Sequence, residues 1–272
     1  MKIILSRKGF DSAYGGYASP ILPDGRMISL PIPYNDVTKY GDLKFDNDRS
    51  YYDVMRQLKP EIRYGRVWHE LTKNATCHFD PDINRGPNSA FGQCGSAQGH
   101  LRNEKVGTGD LFLFFGWFRQ TTWEKGSLQF VKGAPDLHII FGYLQVEEVI
   151  EVKEDSISDK RIKDHCHVKS DSIRKLPNNT IYLASKNLSW DESRSGAGVF
   201  DFNQKRVLTK INYPRSQWDL PYAFRNIEIS RHSKNSWKDE GYFQSAPIGQ
   251  EFIIQDRQDC EIAKNWAKNL FD

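Results

Sequence analysis

Residues 110–119, DLFLFFGWFR, and residues 137–152, LHIIFGYLQVEEVIEV, are the most strand-like segments of the chain. Their aromatic and β-branched side chains pack well on a pleated surface, which favours sheet over helix. Glu147-Glu148 interrupts the apolar run of the second segment, as a bulge or strand bend would. Working outward, shorter strands are expected at 2–6 (KIILS), 180–184, 205–211 and 250–255. A helix is expected to start after Asn47 or Asp48 and to run to about Leu58, with Tyr51, Val54, Met55 and Leu58 on one side and Pro60 ending it. A last helix carries Ile262, Trp266 and Leu270 beside Ala263, Ala267 and Phe271, with Asp256 as its N-cap. Between these elements, residues 11–36 are dense in Gly, Pro, Ser and Asp, with Pro23-Asp24-Gly25 a turn. Residues 72–108 lack periodicity and are expected to form a functional loop. With no linker visible, the pattern predicts one continuous α+β unit over 1–272, a strongly bent, mostly antiparallel sheet covered by a few helices.

The 272 residues suffice for a sizeable core. No apolar run approaches the roughly 20 residues of a membrane-spanning helix, and the start, MKIILSRKGF, meets charge before a signal peptide's apolar region could form. Cys77, Cys94, Cys166 and Cys260 form no CxxC pair and are read as free thiols of a reducing compartment, so a cytoplasmic location is expected. The net charge of +3 is too mild to mark a dedicated nucleic-acid binder. Residues 203–235 carry seven basic residues against Asp219 and Glu228, which reads as a solvated basic surface or as a track for phosphates.

Four constellations are able to carry chemistry. Arg7 and Lys8, with Asp11 close by, leave the first strand on a Gly-containing turn and would grip phosphate or carboxylate. His78, Asp80 and Asp82 fall on one face at strand spacing, where they would hold a divalent metal or supply a general base. The stretch 91–100, FGQCGSAQGH, reads as a backbone-rich loop whose Gln93 and Gln98 would read a base edge. Its Cys94, near His100, is the best thiol nucleophile. Asp110 opens the aromatic strand in which Phe115, Trp117 and Phe118 would stack on a base while Arg119 reaches its phosphate, although one face of that strand must be core. His138 on the next strand is a further ligand candidate. His165-Cys166-His167 would ligate zinc only with partners from elsewhere.

The ordered blocks SRKGFD, SPILPDG, SLPIP, HFDPD, FGQCGSAQGHL, VGTGDLFLFFGWFR, APDLHIIFGYLQV, GAGVF and QSAPIGQEF resemble the third nucleotide modification associated domain family, from residue 1 to about 271. That resemblance implies a bacterial or phage protein that takes part in modifying nucleic-acid bases, with no established catalytic residues to carry over. Residues 106–152 are also similar to the PUA, EVE and ASCH barrels, which bind modified bases or RNA, and this implies a PUA-like barrel as the alternative architecture.

The leading expectation is therefore an enzyme, a nucleotide- or base-modifying transferase among the options, with nucleic acid or a nucleotide as partner. Asp80 or Asp82 would serve as base, His100 as acid or orienter, and Arg7 and Arg119 as phosphate grips, with Asp11, Gln93, Gln98 and Asp110 completing the pocket. A non-catalytic reader of modified bases and a small-nucleotide hydrolase or transferase are the alternatives.

Overall fold

The computed structural model describes residues 1–247, 249–255 and 261–272. Its main sheet has ten strands: β1 (Ile3–Arg7), β2 (Ser19–Ile21), β3 (Ala90–Gln93), β4 (Leu111–Glu124), β5 (Ser127–Phe130), β6 (Leu137–Glu151), β7 (Thr180–Ala184), β8 (Ala197–Val199), β9 (Glu228–Ile229) and β10 (Glu251–Gln255). Their order is β9-β10-β1-β4-β6-β7-β3, with β2 and β5 also on β4 and β8 on β6. β1 and β2 run parallel to β4, and the other pairings are antiparallel. Register shifts in β6 fall between Ile140 and Gly142 and between Val146 and Glu148, the second where Glu147-Glu148 predicts a bulge. The helices are α1 (Tyr51–Leu58), α2 (Gly95–Asn103), α3 (Cys166–Lys169), α4 (Asp171–Arg174) and α5 (Ile262–Asn269).

The apolar run of β4 lacks alternation because both faces of the sheet are covered there. Phe112 and Phe114 meet Phe91 of β3 and Phe112 also meets Tyr182 of β7, whereas Phe115 faces Trp218 and Phe252. All of these rings are fully buried, and each contributes on the order of 2 kcal/mol of apolar transfer. The Phe91 contact also measures the bend. Two strands separate β3 from β4, which in a flat sheet would put them roughly 14 Å apart. Instead the Phe91 and Phe112 ring centroids are 5.0 Å apart, so the sheet curls back over its own face.

The curl does not close. β9 and β3 end the strand order without pairing, and the PUA-like barrel is not formed. The gap is spanned by side chains: Gln93 Nε2 donates to Glu251 Oε1 of β10 at 2.6 Å, and Lys8 Nζ lies 3.1 Å from the same oxygen. Side chains cannot repeat a main-chain ladder, so a space remains between the approaching ends.

A second apolar cluster packs under α1, with Phe10, Leu30, Tyr40, Val54, Met55 and Ile62 at its centre. Ser50 caps α1, accepting from Asp53 N and donating its own N–H to Asp53 Oδ2, a capping box worth about 1 kcal/mol.

Two expectations are corrected. Residues 205–211 form no strand but a 3₁₀ turn, Gln204–Arg206, followed by isolated bridges from Val207 and Thr209. The glycine-rich stretch 91–100 is no loop but β3 running into α2. The basic stretch 203–235 is divided: Arg206 is buried and bonds to Leu270 O and Asp201 O, half-buried Lys210 and Arg225 bond to backbone carbonyls, and Lys205, Arg231 and Lys234 are exposed, as a solvated basic surface would have them. Cys77, Cys94 and Cys166 are free thiols, while Cys260 and the proposed cap Asp256 lie outside the described residues. Among the described residues no helix is long and apolar enough to cross a membrane.

Candidate functional site

Where the curled end of β3 approaches the ends of β1 and β10, a cavity of about 450 Å³ opens. Its lining brings Arg7, Lys8 and Asp11, a basic wall, together with Gly92, Gln93 and Cys94 and with His78, Asp80 and His167. Tyr14 and Tyr34, both exposed, stand at its mouth. The volume suits a nucleotide-sized ligand.

The basic wall is set by where β1 ends. Arg7 donates through Nη2 to Ala246 O at 2.7 Å and through Nη1 to Pro247 O at 3.0 Å, and its buried Nε has no partner. Burial lowers its pKa, yet a guanidinium stays charged at neutral pH. Among the described residues no carboxylate ion-pairs with it. Lys8, by contrast, is neutralised by Glu251 and lies 4.2 Å above the Phe91 ring. Asp11 Oδ1 accepts from the backbone of Ala13 and Tyr14, both at 2.7 Å, so this carboxylate also shapes the turn.

The histidine-bearing wall is built from two distant segments. His78 follows a short strand, Thr76–Cys77, paired with Pro33–Lys39, and its backbone N–H donates to Ile32 O. Asp80 lies two residues on, after which the Asp80–Pro81 bond is cis. Its Oδ1 accepts from Gly92 N at 2.9 Å and lies 3.2 Å from His165 Nε2, off the line of a straight hydrogen bond. Burial raises the Asp80 pKa, but His165 and the further imidazoles of His167 and His78 outweigh it and bring the carboxyl down to about 2. Burial takes His167 down to about 3.

His167 comes from α3, which packs its ring directly on β3. A Cβ at Gly92 would meet that ring at 2.3–2.7 Å, so only glycine admits the approach. His167 Nδ1 lies 2.6 Å from Asn179 Oδ1, and His78 Nδ1 lies 3.3 Å from Asp36 Oδ2. One ligand atom from each of His78, Cys166 and His167 lies within 4.8 Å of the others, and the same holds for Asp80, His165 and Cys166.

The structure therefore gathers Arg7, Lys8, Asp11, His78, Asp80, Gln93 and Cys94 around one cavity. Other expected residues are placed elsewhere. Asp82 turns into a bridge with Ala90, pairs with Arg85 and lines a neighbouring cavity of about 340 Å³ that Asp80 also reaches. Gln98 is buried in α2, its Oε1 accepting from Tyr182 OH at 3.0 Å. His100 Nε2 lies 2.9 Å from Ser230 Oγ. Asp110 accepts from the backbone of Lys2 and Gly107, holding the start of β4. Trp117 and Arg119 both bond to Asp136, and His138 Nδ1 accepts from Trp218 Nε1 at 3.0 Å in the core. Phe115 and Phe118 are fully buried and offer no stacking face.

The sequence carried no signal for Asp36 or Asn179, and Glu251 stood out only as the polar start of the last strand. His165-Cys166-His167 carried a signal, but its partners lie 87 residues upstream in the case of the Cys166–Phe79 contact, a separation no spacing rule links.

No curated protein and no solved structure matches the chain. The family described as nucleotide modification associated domain 3 matches residues 2–255, and with nearly its whole length matched the chain belongs to that family.

Proposed function

We propose that this cavity binds a nucleotide or a nucleotide unit of a nucleic acid, and that the chain is an enzyme altering it. The observation that carries the reading is that one cavity is lined both by Arg7, a guanidinium with no carboxylate ion pair among the described residues, and by the buried carboxylate of Asp80. A phosphate would meet the cation and a base edge would meet Asp80, while the Gln93 amide is already held by Gln250, Glu251 and the Cys94 N–H. Family membership supports the same substrate class.

Asp80 suits fixed negative charge better than general base, because a carboxyl near pKa 2 takes up a proton poorly at neutral pH. It would orient a base amine or an imidazole. The exposed rings of Tyr14 and Tyr34 favour a second reading, a reader of modified bases that stacks them at the mouth without chemistry.

Mass spectrometry of nucleosides from DNA, RNA and the free pool, in cells with wild-type protein or Asp80→Asn, separates the two. A modified nucleoside present only with wild type supports the enzyme. Unchanged nucleoside masses in all three fractions would favour the reader.

A further inference from the structure

The inner wall of the cavity holds an arrangement that nucleotide binding does not require. Asn179 Nδ2 donates to three carbonyls, of His167, Ile173 and Arg174, which fixes its amide oxygen toward His167 Nδ1. An amide oxygen only accepts, so His167 Nδ1 carries the proton and Nε2 presents a lone pair. His78 repeats the pattern: the buried Asp36 carboxylate faces Nδ1 at 3.3 Å, leaving Nε2 bare. Among the described residues neither Nε2 has a hydrogen-bond partner. Imidazoles held through one nitrogen by a carboxylate or an amide oxygen, with the other nitrogen free, are the usual supporting shell of metal-bound histidine.

The third donor is Cys166 Sγ, within 4.8 Å of a ring nitrogen of each, whose thiol donates to Phe79 O at 3.4 Å and lies 3.8 Å from His165 Nδ1. We propose that His78, His167 and Cys166 bind a borderline-soft divalent cation of the zinc type, with the fourth position facing the cavity. Two imidazoles and a thiolate suit zinc rather than magnesium or calcium, which take oxygen ligands. Asp80, within reach of Cys166 beside His165, supplies the balancing negative charge. On binding, the Sγ–H bond breaks and its proton leaves to solvent, while both imidazoles bind neutral.

The site lies in the cavity assigned to the nucleotide, but its test uses the metal alone, so failure of either reading leaves the other standing. Chelator-treated full-length protein is titrated with Co²⁺ and, in competition, Zn²⁺. The expected result is one equivalent of Co²⁺ with a thiolate-to-cobalt charge-transfer band, displaced by Zn²⁺. Cys166→Ser removes the band, Cys94→Ser keeps it, and Asp36→Asn or Asn179→Ala weakens binding about 10–100-fold while the far-UV spectrum stays native. Absence of stoichiometric binding by folded wild type, or a band that survives in Cys166→Ser, overturns the proposal.

Discussion

Gln93 Nε2 on β3 donates to Glu251 Oε1 on β10 at 2.6 Å, joining two strands that share no main-chain ladder. This bond and the Lys8–Glu251 pair hold the curled sheet at the width that leaves a cavity. Were β3 laddered to β10 instead, Gly92 and Gln93 would meet it backbone to backbone and the space they line would vanish.

Glu251→Gln should therefore cost about 3–5 kcal/mol in denaturant unfolding, since it strands the buried Lys8 ammonium. Lys8→Met combined with Glu251→Gln should recover part of that loss. Strictly additive single and double variants would mean that the pair is not coupled.

Gly92→Ala should lower stability by about 1–3 kcal/mol, because its Cβ displaces the His167 ring. A midpoint equal to wild type in urea would show that α3 is free to move away.

Tyr34→Ala should weaken binding of a base-containing ligand by about 1–3 kcal/mol, the usual worth of one base–aromatic stack. Trp117→Ala should leave that affinity unchanged, because Trp117 lies outside the cavity and bonds to Asp136. Calorimetry on both variants checks the contrast, and equal losses would contradict the placement.

Burial lowers the pKa of His138, His167, His232 and His100 below the usual value near 6.5. Below pH 6.5 the unfolded chain binds these protons and the folded one resists them, so stability should fall as pH drops from about 6.5 toward 5. Each histidine kept neutral adds at most about 1.4 kcal/mol per pH unit to that slope. The depressed Asp80 adds a further loss only between about pH 4 and 2. Urea midpoints at pH 5, 6, 7 and 8 measure the slope, and a flat profile from 5 to 7 would contradict it.

The core strands were legible because β4 and β6 bury aromatic and branched residues on both faces, a pattern few other structures tolerate. The helix α2 was not, since Gly95 and Gly99 are poor helix formers and tertiary contacts hold them there: buried Leu101 and Gln98, the Gly95 N–H on Pro177 O and the His100–Ser230 bond. The strand expected at 205–211 failed because its apolar residues pack through isolated bridges rather than a ladder. Within the site, Arg7, Asp80 and Gln93 were visible as chemistry on turns. Their convergence with His167 depends on how far the sheet curls, a long-range property of Phe91 and Phe112 packing that no local spacing encodes.

The central claim, that the cavity between Arg7 and Asp80 receives a nucleotide, is tested most directly by equilibrium binding. A panel of nucleoside mono- and triphosphates and modified oligonucleotides is titrated into folded wild type and Arg7→Gln. At least one member should bind wild type, and the variant should bind it tenfold or more weakly, about 1.4 kcal/mol. Equal affinity for both proteins, or no binding anywhere in the panel, contradicts the account.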